Sequence, residues 1–177
     1  MLKRILILTV LALLVNLVSP ANVTRQVKAA PSERDLLQVV NAIDLQNALN
    51  SVANDGVIEL SAGTYTAPSN GFQVINQNKS FTIRASTPGT VVLDGGGSKP
   101  IFRYYNDSLS TNSIVFEGLK FSNGRSTING YAGGLSIERG RATIVNCIFE
   151  NNRGDQDSAG GGALFITQSS KVLIVDT

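Results

Sequence analysis

Histidine and tryptophan are absent from the 177 residues, and cysteine and methionine occur once each. Without His, the commonest general acid–base group and the commonest metal ligand are both missing. Any catalysis must run on carboxylates, Lys, Arg or Tyr. The single cysteine, Cys147, excludes an intramolecular disulfide framework. It lies in an apolar run and reads as a small buried residue rather than a reactive thiol. An excess of one charge is also lacking. Lys and Arg number 15 against 13 Asp and Glu, and Lys3 and Arg4 lie in a segment expected to be removed. The mature chain is then close to neutral, so nothing in its charge points to nucleic acid.

The one long apolar run, residues 5–18, falls short of the roughly 20 residues that span a bilayer. It follows Lys3 and Arg4 and ends at Ser19-Pro20-Ala21, with small residues at the cleavage positions. Residues 1–21 therefore read as a secretory signal peptide, and the expected location is secreted or cell-surface. No integral membrane span is expected in the mature chain. No Cys follows the run, so lipid attachment is not indicated. Residues 22–35 are polar and patternless, a linker, and 36–177 form the domain.

What the sequence does hold is a repeat. Residues 113–124 read SIVFEGLKFSNG, and 141–152 read RATIVNCIFENN. At this offset of 28, Phe116 falls on Ile144, Leu119 on Cys147, Phe121 on Phe149 and Asn123 on Asn151. Apolar and polar residues alternate, which is strand spacing, and skip a beat at Gly118 and Asn146. A skipped beat marks a corner between two short strands. One such coil cannot bury its apolar face alone, but stacked coils share a core. The expected fold is all-β, a parallel β-helix with three short strands per coil and four to five coils; its right hand is what the resemblance given below implies. An antiparallel sandwich would need hairpin turns between mirrored runs, and the runs beside the Asn-Gly pairs do not mirror one another.

The pattern predicts three inward stacks. The first places Ile58, Phe81, Ile114, Ala142 and Val172 over one another, beside Leu60, Ile83, Phe116, Ile144 and Ile174. The second holds Val91, Leu119 and Cys147, beside Tyr65, Leu93, Phe121 and Phe149. The third holds Phe72, Phe102, Leu135 and Leu164, beside Val74, Tyr104, Ile137 and Ile166. Asn123 over Asn151 predicts an amide ladder at one corner. Residues 36–40 suit a short strand. Asp44 is the expected N-cap of a ten-residue amphipathic helix with Leu45, Ala48, Leu49 and Val52 on one face. That helix is placed to cover the first coil. Residues 171–177 end in mid-coil, which predicts that further sequence or a partner covers the open edge.

VIELSAGTY (57–65), FTIRA (81–85), TVVLDG (90–95) and the Gly-Gly-plus-apolar strands resemble the pectin-lyase-like superfamily of right-handed parallel β-helices. CIFENN followed by GGAL is similar to repeats of bacterial polymorphic outer-membrane proteins, with FxxN at 149–152 and GGA(I/L/V) at 161–164. The preceding coil departs, with FSNG and GGLS. The superfamily resemblance implies either polysaccharide lyases and hydrolases or non-catalytic surface adhesins. The polygalacturonase Asn-Thr-Asp and Gly-His-Gly motifs are absent, as are the pectate-lyase Trp-Ile-Asp-His and Arg-x-Pro-x-x-Arg signatures.

The candidate site lies in two loops, 124–132 and 152–160. The repeat places them at the same corner of successive coils, with Arg125 beside Arg153, Asp155 and Asp157 close by, and Tyr131 in the upper loop. Arg forks a uronate carboxylate and Tyr offers a ring face, a surface suited to a polysaccharide or cell-surface glycan. Asp155 and Asp157 could share a Ca²⁺ with backbone carbonyls; no other cofactor is suggested. The plainer reading is a solvated polar loop with an internal Arg–Asp pair. Arg153-Gly154-Asp155 is also an RGD tripeptide, and 138–141 reads as a charged turn. The expected function is a non-catalytic scaffold, adhesin or glycan-binding module. The alternative is the N-terminal part of a polysaccharide lyase or glycoside hydrolase.

Overall fold

The computed structural model describes residues 35–106, 111–127, 130–155, 160–167 and 170–177. The expected signal peptide and nearly all of the linker lie outside them. The chain winds into a parallel β-solenoid of about four turns. The first sheet stacks Leu36–Val39, Gly56–Leu60, Phe81–Ala85, Ser113–Glu117, Arg141–Val145 and Lys171–Val175 in chain order. The second stacks Gly63–Thr66, Val91–Asp94, Leu119–Ser122 and Ile148–Glu150. The third stacks Phe72–Ile75, Phe102–Tyr105, Leu135–Glu138 and Leu164–Thr167. Every strand pairing among the described residues is parallel, which rules out the sandwich.

Alternation explains the core. Along Phe72–Ile75, Phe72 and Val74 are buried while Gln73 and Ile75 face outward, and the same alternation recurs at Phe102–Tyr105. Five Phe rings from the three sheets form one chain through the interior. Phe72 and Phe102 lie 6.4 Å apart, Phe102 and Phe116 5.1 Å, Phe116 and Phe121 5.9 Å, and Phe121 and Phe149 4.8 Å. Burying a side chain of this size contributes about 1.5–3 kcal/mol. On the last rung the inward residues lie open: Ile166 is 42% and Ile174 48% exposed, against zero for Ile137 and Ile144 beneath them.

The second and third stacks pair as the sequence predicts, and so does the first from Phe81 upward. Below Phe81 the register differs. Ile58 lies on Ile83, not on Phe81; Gly56 lies under Phe81 and Leu60 under Ala85. A slip of two residues keeps every side chain on its own face, so burial alone does not detect it. The outward residues do. The observed register sets Glu59 beside Arg84, joined at 2.6 Å, with Gln38 donating to Glu59 from the rung below at 2.8 Å. The hydrogen bond from Gln38, then the one from Arg84, lowers the Glu59 pKa below the ordinary 4.5. A carboxylate whose folded pKa is lowered stabilises above its unfolded value and loses that contribution as pH falls through the folded one. Glu59→Gln should therefore cost less than about 1 kcal/mol at pH 7, this being a part-exposed pair. In paired urea titrations the difference should vanish below the carboxylate range.

The helix spans Ala42–Ser51, and its N-cap is Asn41 rather than Asp44. Asn41 Oδ1 accepts from the Asp44 N–H at 2.9 Å, and Asn41 Nδ2 donates to the Asp44 carboxylate at 2.6 Å. The cap is one side-chain-to-backbone bond reinforced by a pairing of the two side chains, with Asp44 in the first turn of the helix. Leu45, Ala48 and Leu49 are buried against the first coil. The helix also satisfies a strand edge. Gln46 Nε2 donates to the Gln73 carbonyl at 3.1 Å, and Gln46 Oε1 accepts from the Gln73 N–H at 3.0 Å. One side-chain amide thus stands in for a missing strand. Gln46→Ala should remove about 1–2 kcal/mol by leaving both groups without a protein partner, read as a lower urea midpoint at unchanged slope.

The amide ladder takes another form. Asn123 and Asn151 both adopt left-handed backbone, φ 56° and 55°, a conformation Asn tolerates better than most residues. Asn123 Nδ2 reaches down to Asp94 at 2.9 Å. Asn152, one residue on, joins the coils: Nδ2 donates to the Phe121 carbonyl at 2.9 Å, and Oδ1 accepts from the Gly124 N–H at 2.8 Å.

Candidate functional site

The corner after the second sheet carries a short parallel pair, Arg125–Ser126 with Arg153–Gly154, in which Arg125 and Arg153 are register partners. Asp155 lies between them. Arg125 Nε and Nη2 each bond one of its carboxylate oxygens at 3.2 Å, and Arg153 Nε is 3.7 Å from Oδ1. The Asp155 N–H donates to the Ser126 carbonyl at 3.0 Å. Arg125, Arg153 and Asp155 therefore meet, as the internal pair of the plainer reading. Asp157 lies outside the described residues. Both Asp155 oxygens face the Arg125 guanidinium. Among the described residues no group of three or more His, Cys, Asp or Glu is arranged to hold a metal ion.

Tyr131 is engaged elsewhere. Its ring lies 4.4 Å from Arg103 Cζ, and the Tyr105 ring lies 5.3 Å from the same atom. Arg103 Nε donates to Glu138 Oε1 at 2.8 Å. These residues belong to the outward side of the third sheet. Register places Gln73, Arg103 and Ser136 in one column and Ile75, Tyr105 and Glu138 in the next. Ser136 Oγ accepts from the Ala132 N–H at 2.7 Å, which ties the loop bearing Tyr131 down to the sheet. Beside this cluster is a cavity of about 210 Å³, lined by Asn70, Gln73, Pro100, Phe102, Arg103, Tyr131 and Ser136.

Sequence reasoning misses Arg103 and Glu138. Glu138, read as part of a charged turn, ends a strand and is buried against Arg103. The signal is present in the sequence: Arg103 alternates with inward Phe102 and Tyr104, so it has to point outward. Cys147 is buried, as expected, and burial pushes its thiol pKa up. That environment disfavours the thiolate. Asn106, part of a glycosylation sequon, is 1% exposed, which leaves no room for a glycan.

Chemically, the third-sheet cavity combines a fixed aromatic face, a guanidinium held by a buried carboxylate, and side-chain amides. A sugar ring presents an apolar face to an aromatic and hydroxyls to amides and cations. No protein-family model matches the chain, and a search of curated proteins finds no match.

Proposed function

We propose that this chain is an exported, surface-exposed β-solenoid that binds a polysaccharide on the outward face of its third sheet, as a non-catalytic scaffold, adhesin or glycan-binding module. The observation that carries the reading is the Tyr131 ring and Arg103 guanidinium packed together at the mouth of the 210 Å³ cavity. Rigid aromatic area gives contact at little conformational cost. Glu138 holds Arg103 in place, so little side-chain freedom remains to be lost on binding. The volume lies below the roughly 300–1,000 Å³ common for enclosed small-molecule sites, and suits one sugar ring of a longer chain lying along the surface. Export is supported by the charged, apolar and small-residue segments of residues 1–21. Membership of the pectin-lyase-like superfamily is supported by the resemblance at residues 57–95. Among the described residues no helix is long and apolar enough to cross a membrane.

A binding panel of neutral and uronate oligosaccharides tests the reading. Tyr131→Ala should weaken the best ligand about 5- to 10-fold, the value of one desolvated ring contact, while the unfolding midpoint changes little. Unchanged affinity in Tyr131→Ala and Arg103→Gln would remove the site. Cleavage of any panel member would favour the lyase or hydrolase alternative.

A further inference from the structure

The outward side of the first sheet carries a second cavity, of about 340 Å³, lined by Thr111, Ser113, Arg141, Ala142, Thr143, Lys171, Val172 and Leu173. Two cations sit together in it. Arg141 and Lys171 are register partners on adjacent parallel strands, with Ser113 in register on the other side of Arg141. Neighbouring strands lie about 4.8 Å apart, and like charges directly opposite are destabilising. The other charged pairs on these sheets are neutralised: Arg84 by Glu59, Arg103 by Glu138, Lys120 by Glu150 and Arg125 by Asp155. Among the described residues neither Arg141 nor Lys171 has a carboxylate within ion-pair reach. The remaining polar groups of the lining are the hydroxyls of Thr111, Ser113 and Thr143, all able to donate.

We propose that this face binds a tetrahedral oxyanion, a sulfate or phosphate ester borne on a glycan, between Arg141 and Lys171. A tetrahedral oxyanion neutralises both cations at once. It accepts the forked guanidinium donors of Arg141, the ammonium of Lys171 and the hydroxyls of Ser113 and Thr143. The cavity is larger than a lone ion needs, which favours an ester with the sugar that carries it. The site lies on a different sheet from Tyr131, so it stands or falls independently of the glycan reading there.

The test is amide NMR of the purified protein at constant ionic strength, with sodium chloride, sodium sulfate, sodium phosphate and a sulfated hexasaccharide beside its desulfated form. Sulfate and phosphate should shift the amides of residues 113, 141–143 and 171–173, and chloride should not. The sulfated hexasaccharide should bind at least tenfold more tightly than the desulfated one. Arg141→Gln and Lys171→Gln should each weaken it about tenfold. Thr143→Val, which keeps shape and charge, should weaken it about threefold and guards against misfolding of the charge variants. Equal shifts with chloride, or binding unchanged in all three variants, would overturn the site. Tight binding of the free ions with no preference for the sulfated sugar would reduce it to an adventitious ion only and overturn the ester assignment.

Discussion

Replacing Phe121 with alanine should destabilise the fold by about 3–5 kcal/mol, the range for a large aromatic removed from a closed core. Phe121 has no exposed surface. It stacks on Phe149 with ring planes 5° apart and meets the edge of Phe116 at 71°. Leu93 lies on the rung beneath it. The neighbours belong to backbones fixed by parallel pairing on both sides, so the space left by the ring cannot collapse. Domains of this kind are stable by only about 5–15 kcal/mol. Phe121→Ala should thus remove a large share of that stability and lower the urea midpoint at unchanged slope. Phe121→Leu, which keeps most of the volume, should cost about 1–1.5 kcal/mol. Phe149→Ala should cost less than Phe121→Ala, because Phe149 sits on the open last rung and is only partly buried. Equal losses for the two Phe-to-Ala changes would mean that Phe149 is as enclosed as Phe121.

Gly124→Ala should cost about 3 kcal/mol, the upper end of ordinary overpacking, although it adds a single methyl group. A Cβ on Gly124 would overlap the carbonyl oxygen of Gly133 and lie 2.9 Å from Asn152 Oδ1. The first obstacle is backbone, and the second is held by the hydrogen bond that Gly124 itself donates. Neither is the free end of a flexible side chain. Gly124 lies at the corner where the second sheet hands over to the Arg125–Arg153 pair, so the same substitution should loosen the Arg125–Asp155 contact. Gly89 supplies the comparison. Its φ is +80°, but a Cβ added there would meet nothing within 4 Å. Gly89→Ala should therefore cost only the left-handed backbone penalty, about 1–2 kcal/mol. Chemical denaturation of the two variants side by side separates crowding from backbone strain.

Much of the fold is legible because neighbouring rungs use like residues. The 28-residue offset between 113–124 and 141–152 carries Phe121 onto Phe149 and Arg125 onto Arg153, and both pairs are found. Legibility fails where two solutions satisfy the same periodicity. Ile58 on Phe81 and Ile58 on Ile83 bury the same side chains, and only the outward Glu59–Arg84 pair distinguishes them. The helix start fails for a related reason. Asn41 and Asp44 are both good caps, and in the structure both take part, with the first at the cap and the second inside it. The site divides along the same line. Arg125, Arg153 and Asp155 follow the repeat and come together. Tyr131 is set by its loop, whose path the repeat does not encode, and only the fold brings it onto Arg103.

The parallel, in-register stacking of rungs is tested most directly by cysteine pairs across the second sheet, in a Cys147→Ala background. Lys120 and Ile148 are register partners, and strands about 4.8 Å apart bring their Cα atoms within disulfide range. Glu150 is two residues further along, which puts its Cα beyond the roughly 7 Å limit from Lys120. Mild oxidation should close Lys120→Cys with Ile148→Cys rapidly and leave Lys120→Cys with Glu150→Cys reduced. Closure of the second pair in preference to the first would contradict the stacked solenoid.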